Sequence, residues 1–332
     1  MKRLWVWASA IAVFAGAPSL FAQDRGKIIR VDGSSTVAPI TTAAAEMFQA
    51  EHPDIYVTVG ISGTGGGFKK FLTDKPELRT DISDASRPIK ASETELAGKL
   101  GVEFIEIPVA IDGLAIIANP KNKFCDDLTV AELKKIWEPG STINNWNQVR
   151  AGFPDQPLRL YGPGTDSGTF DYFTEVIVGK EKASRSDYTA SESDNVLVMG
   201  VAGDEGALGY FGFSYYEANK AKLKLLGVDK GDGKPVKPSV DVVRGGGYEP
   251  LSRPLFIYVN RSAADRPEVQ AFVQYLLENG QKIVEHPRVN YVALEPEVYG
   301  LARKRFESRT TGSAMAAAKG GEKRSLKSIF GG

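Results

Sequence analysis

The sequence predicts a two-domain α/β protein. Its 332 residues exceed the usual size of a single compact core. Short runs of β-formers alternate with segments of helical periodicity, and glycine- and serine-rich loops recur where a strand hands over to a helix. The composition agrees, with 41 basic and 41 acidic residues, 42% hydrophobic residues and no basic block. A disordered chain and a nucleic-acid binder are both excluded on that ground.

The first residues stand apart from the fold. "MKRLWVWASAIAVFAGAPSLFAQ" places Lys2 and Arg3 before an apolar run that ends in small residues, the pattern of a secretory signal peptide over residues 1–22 with Ala22 last. Export to a periplasm or to the outside is expected. No cysteine lies near the cleavage region, so a lipoprotein is not, and no second apolar run is long enough for a membrane span. Removing Lys2 and Arg3 leaves 41 − 2 = 39 basic residues against 41 acidic ones. Cys125 is the only cysteine; it excludes an intrachain disulfide and reads as structural.

"KIIRVDG" reads as the first strand and "PITTAAAEMFQAEHP" as the helix after it. Ile40, Ala43, Ala44, Met47 and Phe48 fall on one face there, and Pro39 sits in the first turn. "IYVTVG" is the next strand and "GFKKFLTD" its helix. Capping boxes are expected at Ser92 with Glu95 and at Thr129 with Glu132. "VEFIEIPVAIDGLAIIANP" reads as two consecutive strands that cross between domains. A second α/β unit runs through "LRLYGPG", "FDYFTEVIVG" and "GALGYFGF". The strand "PLFIYVN" and the helix "PEVQAFVQYLLENGQKIV", with Val269, Phe272, Val273, Leu276 and Leu277 on one face, return the chain to the first domain. The expected organisation is residues 27–110 plus 252–310 as one domain, 111–251 as the other, two crossings as a hinge, and 311–332 as a mobile tail.

Four loops carry the chemistry: "DGSSTVAP", "GISGTGGGFKKF", "DISDASRPIK" and "GPGTDSGTFDYF". Any one of them could be ordinary helix caps and turns. Together at the carboxyl ends of strands they offer backbone N–H groups and hydroxyls for an oxyanion, and Arg87 could add a bidentate contact. Asp81 beside an anion makes sense if the ligand carries a proton, which would favour phosphate over sulfate. Catalytic machinery is scarce. His52 and His286 both stand before proline at helix ends, "GTDSGTF" is not a nucleophile elbow, and the glycine loop lacks the G-K-[ST] ending of an ATPase. No spacing supports zinc or calcium, so no catalytic residue, metal or cofactor is expected.

With those four loops in this order, and "DNVLVMGVAGDEGALGYFGFSYYE" as a fifth block, the chain resembles the periplasmic phosphate-binding proteins of the phosphate ABC transporter, the PstS family. The resemblance spans about Lys27 to Thr310. It implies a type II periplasmic-binding-protein-like fold, with a two-strand hinge and an inter-domain cleft that closes on inorganic phosphate for delivery to a membrane permease. A monomer without nucleic acid is expected. By position the contacts would be Ser35, Thr36, Thr64 and Gly65, with Asp81 as proton acceptor and Ser167, Gly168 and Thr169 from the second domain; Ser34, Ser86, Thr165 and Asp166 are further candidates. The arginine that many members carry four residues before the Ser-Gly-Thr triplet is Pro163 here, and their acid two residues before it is Thr165. Arg87 is then the expected positive charge, with Arg159 and Arg244 behind it. The same fold binding sulfate, arsenate or molybdate, and a secreted phosphoester hydrolase or an adhesive protein, are the alternatives.

Overall fold

A computed structural model describes residues 27–318 and 325–331; the expected signal peptide lies outside the described residues. The strands in chain order are β1 (Ile28–Gly33), β2 (Tyr56–Ile61), β3 (Ile82–Ala85), β4 (Phe104–Ala118), β5 (Asp127–Thr129), β6 (Arg159–Gly162), β7 (Thr189–Ala190), β8 (Ala207–Gly212), β9 (Lys224–Leu225), β10 (Gly227–Asp229) and β11 (Ser252–Asn260). Nine of them form one sheet in the order β2-β1-β3-β11-β4-β8-β6-β7, with β9 also on β4. β1 pairs in parallel with β2 and β3, and β6 with β7 and β8, as strand–helix–strand units require.

β4 joins the two halves of the sheet, and here the structure corrects the expectation of two consecutive strands. All of its residues are buried, and it runs uninterrupted. Residues 104–113 pair with β11 and residues 114–118 with β8. The register shifts between Leu255 and Phe256, so that Val109 bulges. An unbroken apolar run suits this strand because both of its faces are covered.

The expected helices form where their periodicity puts them. α1 (Ala38–Glu51) buries Ile40, Ala43, Ala44 and Phe48. α2 (Gly63–Phe71) lies over β1, and α3 (Ala91–Lys99) follows β3. α4 (Val130–Trp137) starts at the predicted box, with Glu132 N donating to Thr129 Oγ1 at 3.1 Å and Thr129 N to Glu132 Oε2 at 2.8 Å. The box on α3 is shifted two residues toward the N-terminus: Lys90 N donates to Glu93 Oε2 at 2.8 Å. That pairing wins because Glu93 is also clasped by Arg87.

α5 (Gly168–Phe173), α6 (Asp194–Gly203), α7 (Phe213–Asn219) and α8 (Val240–Arg244) belong to the second half of the chain. α9 (Pro267–Glu278) buries the five predicted apolar residues, α10 (Gly280–Val284) completes what reads as one helix in the sequence, and α11 (Pro296–Glu307) packs on β4.

The tail expected to be mobile is docked in its described parts. Gly312 N donates to Phe104 O at 2.9 Å. The fully buried carboxylate of Glu106 accepts from Tyr258 Oη at 2.7 Å, Ser313 Oγ at 2.6 Å and Met315 N at 2.9 Å. α12 (Ala314–Ala317) and α13 (Leu326–Gly331) follow, the latter against α11. A buried carboxylate must collect donors from somewhere, and the tail supplies two of the three.

Candidate functional site

The carboxyl ends of β1 and β3 and the amino end of α2 face α5 across a cleft of about 360 Å³. Strand polarity decides this arrangement: in parallel β–α units the loops that leave the strands gather on one side of the sheet. Three short segments build the first wall. Ser34, Ser35 and Thr36 turn the chain from β1 into α1, Ser62 to Gly66 open α2, and Ser86, Arg87 and Lys90 follow β3. Asp171, Tyr172, Glu175 and Glu181 form the opposite wall, and Arg253 of β11 reaches in from between.

Close packing fixes the first wall. A Cβ on Gly67 would lie 2.6 Å from Gly33 Cα, so only glycine lets α2 rest directly on the end of β1. Thr64 Oγ1 lies 3.0 Å from Ser86 Oγ and accepts from Ser86 N at 3.1 Å, which ties the start of α2 to the end of β3. Ser34 Oγ accepts from Thr36 N at 3.2 Å, so Ser34 shapes its loop. Behind the wall, Asp32 is held by Lys70 at 2.5 Å and by the Ser62 hydroxyl. These contacts leave a concave surface of hydroxyls and of the first N–H groups of α2, which suits an anion.

Arg253 supplies the positive charge at the centre. It faces Asp112 directly across the β11–β4 pair, with Nε 3.4 Å from the fully buried Asp112 Oδ2. Its Nη2 donates to Thr36 Oγ1 at 3.2 Å, and its guanidinium carbon sits 3.6 Å from the centre of the Tyr172 ring. Tyr172 is itself anchored by donating to Pro250 O at 2.6 Å. One arginine therefore touches both walls and the strand that connects them. Burial raises the pKa of Asp112, while Arg253 opposes the rise.

Several sequence expectations change against this geometry. Ser35, Thr36, Thr64, Gly65 and Arg87 line the cleft, as do Ser34 and Ser86. Asp81 does not. It precedes β3, at the opposite end of that strand, where its carboxylate accepts from Arg30 N at 2.8 Å and pairs with Arg266 at 2.8 Å. An acid at the amino end of a strand cannot reach a ligand at the carboxyl ends, so Asp81 is corrected to a structural residue.

Arg87 reaches the cleft with its charge already engaged, since both terminal nitrogens bond Glu93, at 2.9 and 2.8 Å. Burial pushes Glu93 up, but Arg87 and the Lys90 N–H outweigh it, and its pKa is lowered. Arg159 is exposed at the start of β6, and Arg244 donates to Ala293 O at 3.1 Å in a different cavity. Arg253 was missed. The available signal was a charge of opposite sign in each crossing strand, Asp112 (with Glu106) in β4 and Arg253 in β11, inside otherwise apolar runs.

Ser167, Gly168 and Thr169 open α5 at the edge of the cleft, where Ser167 Oγ accepts from Thr169 N at 3.2 Å. Gly168 lies against the first wall: a Cβ there would stand 2.5 Å from Thr36 Oγ1 and 3.0 Å from Thr36 N. Thr165 and Asp166 are exposed, and Asp166 N donates to Glu192 at 3.4 Å, so this part of the loop is placed outside the cleft. Among the described residues there is no cluster of three or more His, Cys, Asp or Glu that could hold a metal ion.

The chain is similar to known proteins over most of its length. A family model described as a PBP superfamily domain matches residues 18–279. Protein SphX of Synechococcus elongatus is 48% identical over 315 residues, covering 93% of this chain and 91% of that one. Phosphate-binding protein PstS of Staphylococcus saprophyticus is 38% identical over 274 residues, covering 82% of each. Among solved structures, a possible phosphate binding protein from Planctomyces limnophilus is similar at a TM-score of 0.80 and 45% identity, covering 85% of this chain and 98% of that one. An ABC-type phosphate transport receptor from Vibrio cholerae is similar at 0.62 and 26%, covering 81% and 100%.

Proposed function

The chain belongs to the PBP superfamily and, within it, to the family of the SphX protein and the phosphate-binding protein PstS, and from that premise we propose that it binds inorganic phosphate in the cleft and delivers it to a membrane ABC permease. Members of this family are substrate-binding proteins, and the cleft is read here as a holding site. The hydroxyls of Ser35, Thr36, Thr64 and Ser86 and the first N–H groups of α2 donate to the phosphate oxygens. Arg253 adds the charge-assisted contact, while Arg87, neutralised by Glu93, shapes the wall.

The two halves act as domains and β4 with β11 as the hinge. Closure brings Ser167, Gly168 and Thr169 onto the ligand, so phosphate shifts the open–closed equilibrium toward the closed state. The protein works as an exported monomer with residues 1–22 as its signal peptide; no helix among the described residues is long and apolar enough to cross a membrane.

The observation that carries this reading is Arg253 in contact with both walls and the hinge. Calorimetric titration of the mature, phosphate-stripped protein with phosphate tests it, and one-to-one binding that persists in excess sulfate is expected. Binding abolished by sulfate would change the ligand, and no heat with either anion would reject the reading.

A further inference from the structure

We infer that the protein carries a second anion site, for a tetrahedral oxyanion of the sulfate and phosphate kind, at the end of the sheet opposite the cleft. A cavity of about 230 Å³ lies at the amino ends of β1 and β3. Arg30 of β1, Arg79 and Thr80 just before β3, and Ser262 and Arg266 between β11 and α9 line it. Asp81 is the one acid among its described lining residues. Three guanidiniums thus share a rim with a single carboxylate.

Carboxylates answer only one of the three. Arg266 bonds Asp81 at 2.8 Å and Glu268 at 2.7 Å. Arg30 and Arg79 are half-buried, and among the described residues neither guanidinium pairs with a carboxylate side chain. Each is held by a backbone carbonyl instead: Arg30 Nη1 donates to Glu77 O at 2.9 Å and Arg79 Nη2 to Thr73 O at 2.7 Å. A carbonyl satisfies a donor but cancels no charge, and drawing a charge out of water without a counter-charge is costly. Arg79 Nε is also buried without a hydrogen-bond partner, so the fold alone does not account for this guanidinium.

A tetrahedral oxyanion supplies the missing charge. Its oxygens match the planar fork of arginine two at a time. The carbonyls of Glu77 and Thr73 already hold two of the forks in place, so little side-chain freedom is lost on binding. A cavity of this size takes one such anion with a few waters. The arginines are only half-buried and Asp81 stands in the rim, so the site is weak and its affinity falls with ionic strength. It lies at the other end of β1 and β3 from the cleft, and its occupancy does not depend on which anion the cleft holds.

The experiment follows the side-chain Nε–H signals of Arg30 and Arg79 by NMR while sodium sulfate is added to the mature protein carrying one equivalent of phosphate. Sodium chloride holds the ionic strength constant throughout. Saturable shifts of both signals, with a dissociation constant in the millimolar range, are expected for wild type. Arg30→Gln should weaken the saturation read at Arg79 by ~10-fold or more, and Arg79→Gln the saturation read at Arg30 by as much. Shifts that grow without saturating, or that chloride alone reproduces, are salt screening and overturn the inference. Saturation unchanged in both variants overturns it too. The two signals report from the far end of the strands, so a failure of phosphate to bind in the cleft would leave this result readable and separate.

Discussion

The guanidinium of Arg253 lies 3.6 Å from the ring centre of Tyr172, so a residue of the connecting strand β11 is stacked on the helix that opens the second wall. A cation held on an aromatic face and paired with a buried acid keeps its position without ligand. The four-carbon ammonium of lysine reproduces neither the fork nor the stacking. Arg253→Lys and Arg253→Gln should therefore each weaken phosphate binding by about 2–4 kcal/mol in calorimetry. Arg87→Gln should cost less than about 1 kcal/mol in the same titration, because Glu93 already occupies that guanidinium.

Asp81 lies at the far end of β3, so Asp81→Asn should leave the phosphate-over-sulfate ratio where it was. Its effect belongs to folding. Loss of charge toward Arg266 and of the full carboxylate toward Arg30 N should lower stability by about 1–2 kcal/mol in urea unfolding. A relaxed ratio in this variant would restore Asp81 as a ligand residue.

Gly168 meets Thr36 where any side chain would intrude, with a Cβ only 2.5 Å from Thr36 Oγ1. Gly168→Ala should leave urea stability within about 1 kcal/mol, since alanine is a good helix former. Phosphate affinity should nonetheless fall ~10-fold or more, because a Cβ at Gly168 opposes the approach of α5 to Thr36 of the first wall. Small-angle scattering of the phosphate-saturated variant should show a larger radius of gyration than wild type.

Asp84 offers a pH test. It is fully buried at the end of β3; burial pushes its carboxyl from an ordinary 3.8 up to about 7, although Thr41 Oγ1 donates to it at 2.7 Å, and Asp32 adds to the rise. The folded pKa lies above the unfolded one, so the folded state holds this proton more tightly. The stability it confers is present at acid pH and is lost as pH rises through about 7. Relative to Asp84→Asn, wild type should lose about 2 kcal/mol between about pH 5 and about pH 8. Parallel urea curves at both pH values, with a constant difference between the proteins, would reject this assignment.

The C-terminal docking predicts a cost for truncation. Ending the chain at Gly312 removes the Ser313 and Met315 donors from the buried Glu106 carboxylate. Thermal or urea unfolding should report a loss of about 2–3 kcal/mol, and Glu106→Leu in the truncated chain should recover part of it.

The α/β class, the main helices and the loops that build the first wall were legible because each rests on local chemistry: Ile40, Ala43, Ala44 and Phe48 repeat at helical spacing, and Thr129 with Glu132 closes a box within four residues. Asp81 and Ser86 share one loop in the sequence yet end on opposite sides of the sheet, because the four residues of β3 separate them. Arg253 was hidden for a related reason. Its role depends on pairing with Asp112 across strands that are 141 residues apart, and register of that kind leaves no local mark. The tail misled because its anchor, Glu106, lies 207 residues before Ser313.

The position of β11 sets the order in which this molecule can be assembled. It lies in the sheet between β3 and β4, antiparallel to both. A growing chain that has emerged only as far as β4 holds two strands with a gap between them, and the missing partner arrives after the whole of the second half has passed. The first half is thus the last to finish, and long-range closure of this kind is slow. The sheet of the first half therefore cannot close until residue 260 is available to pair with both β3 and β4.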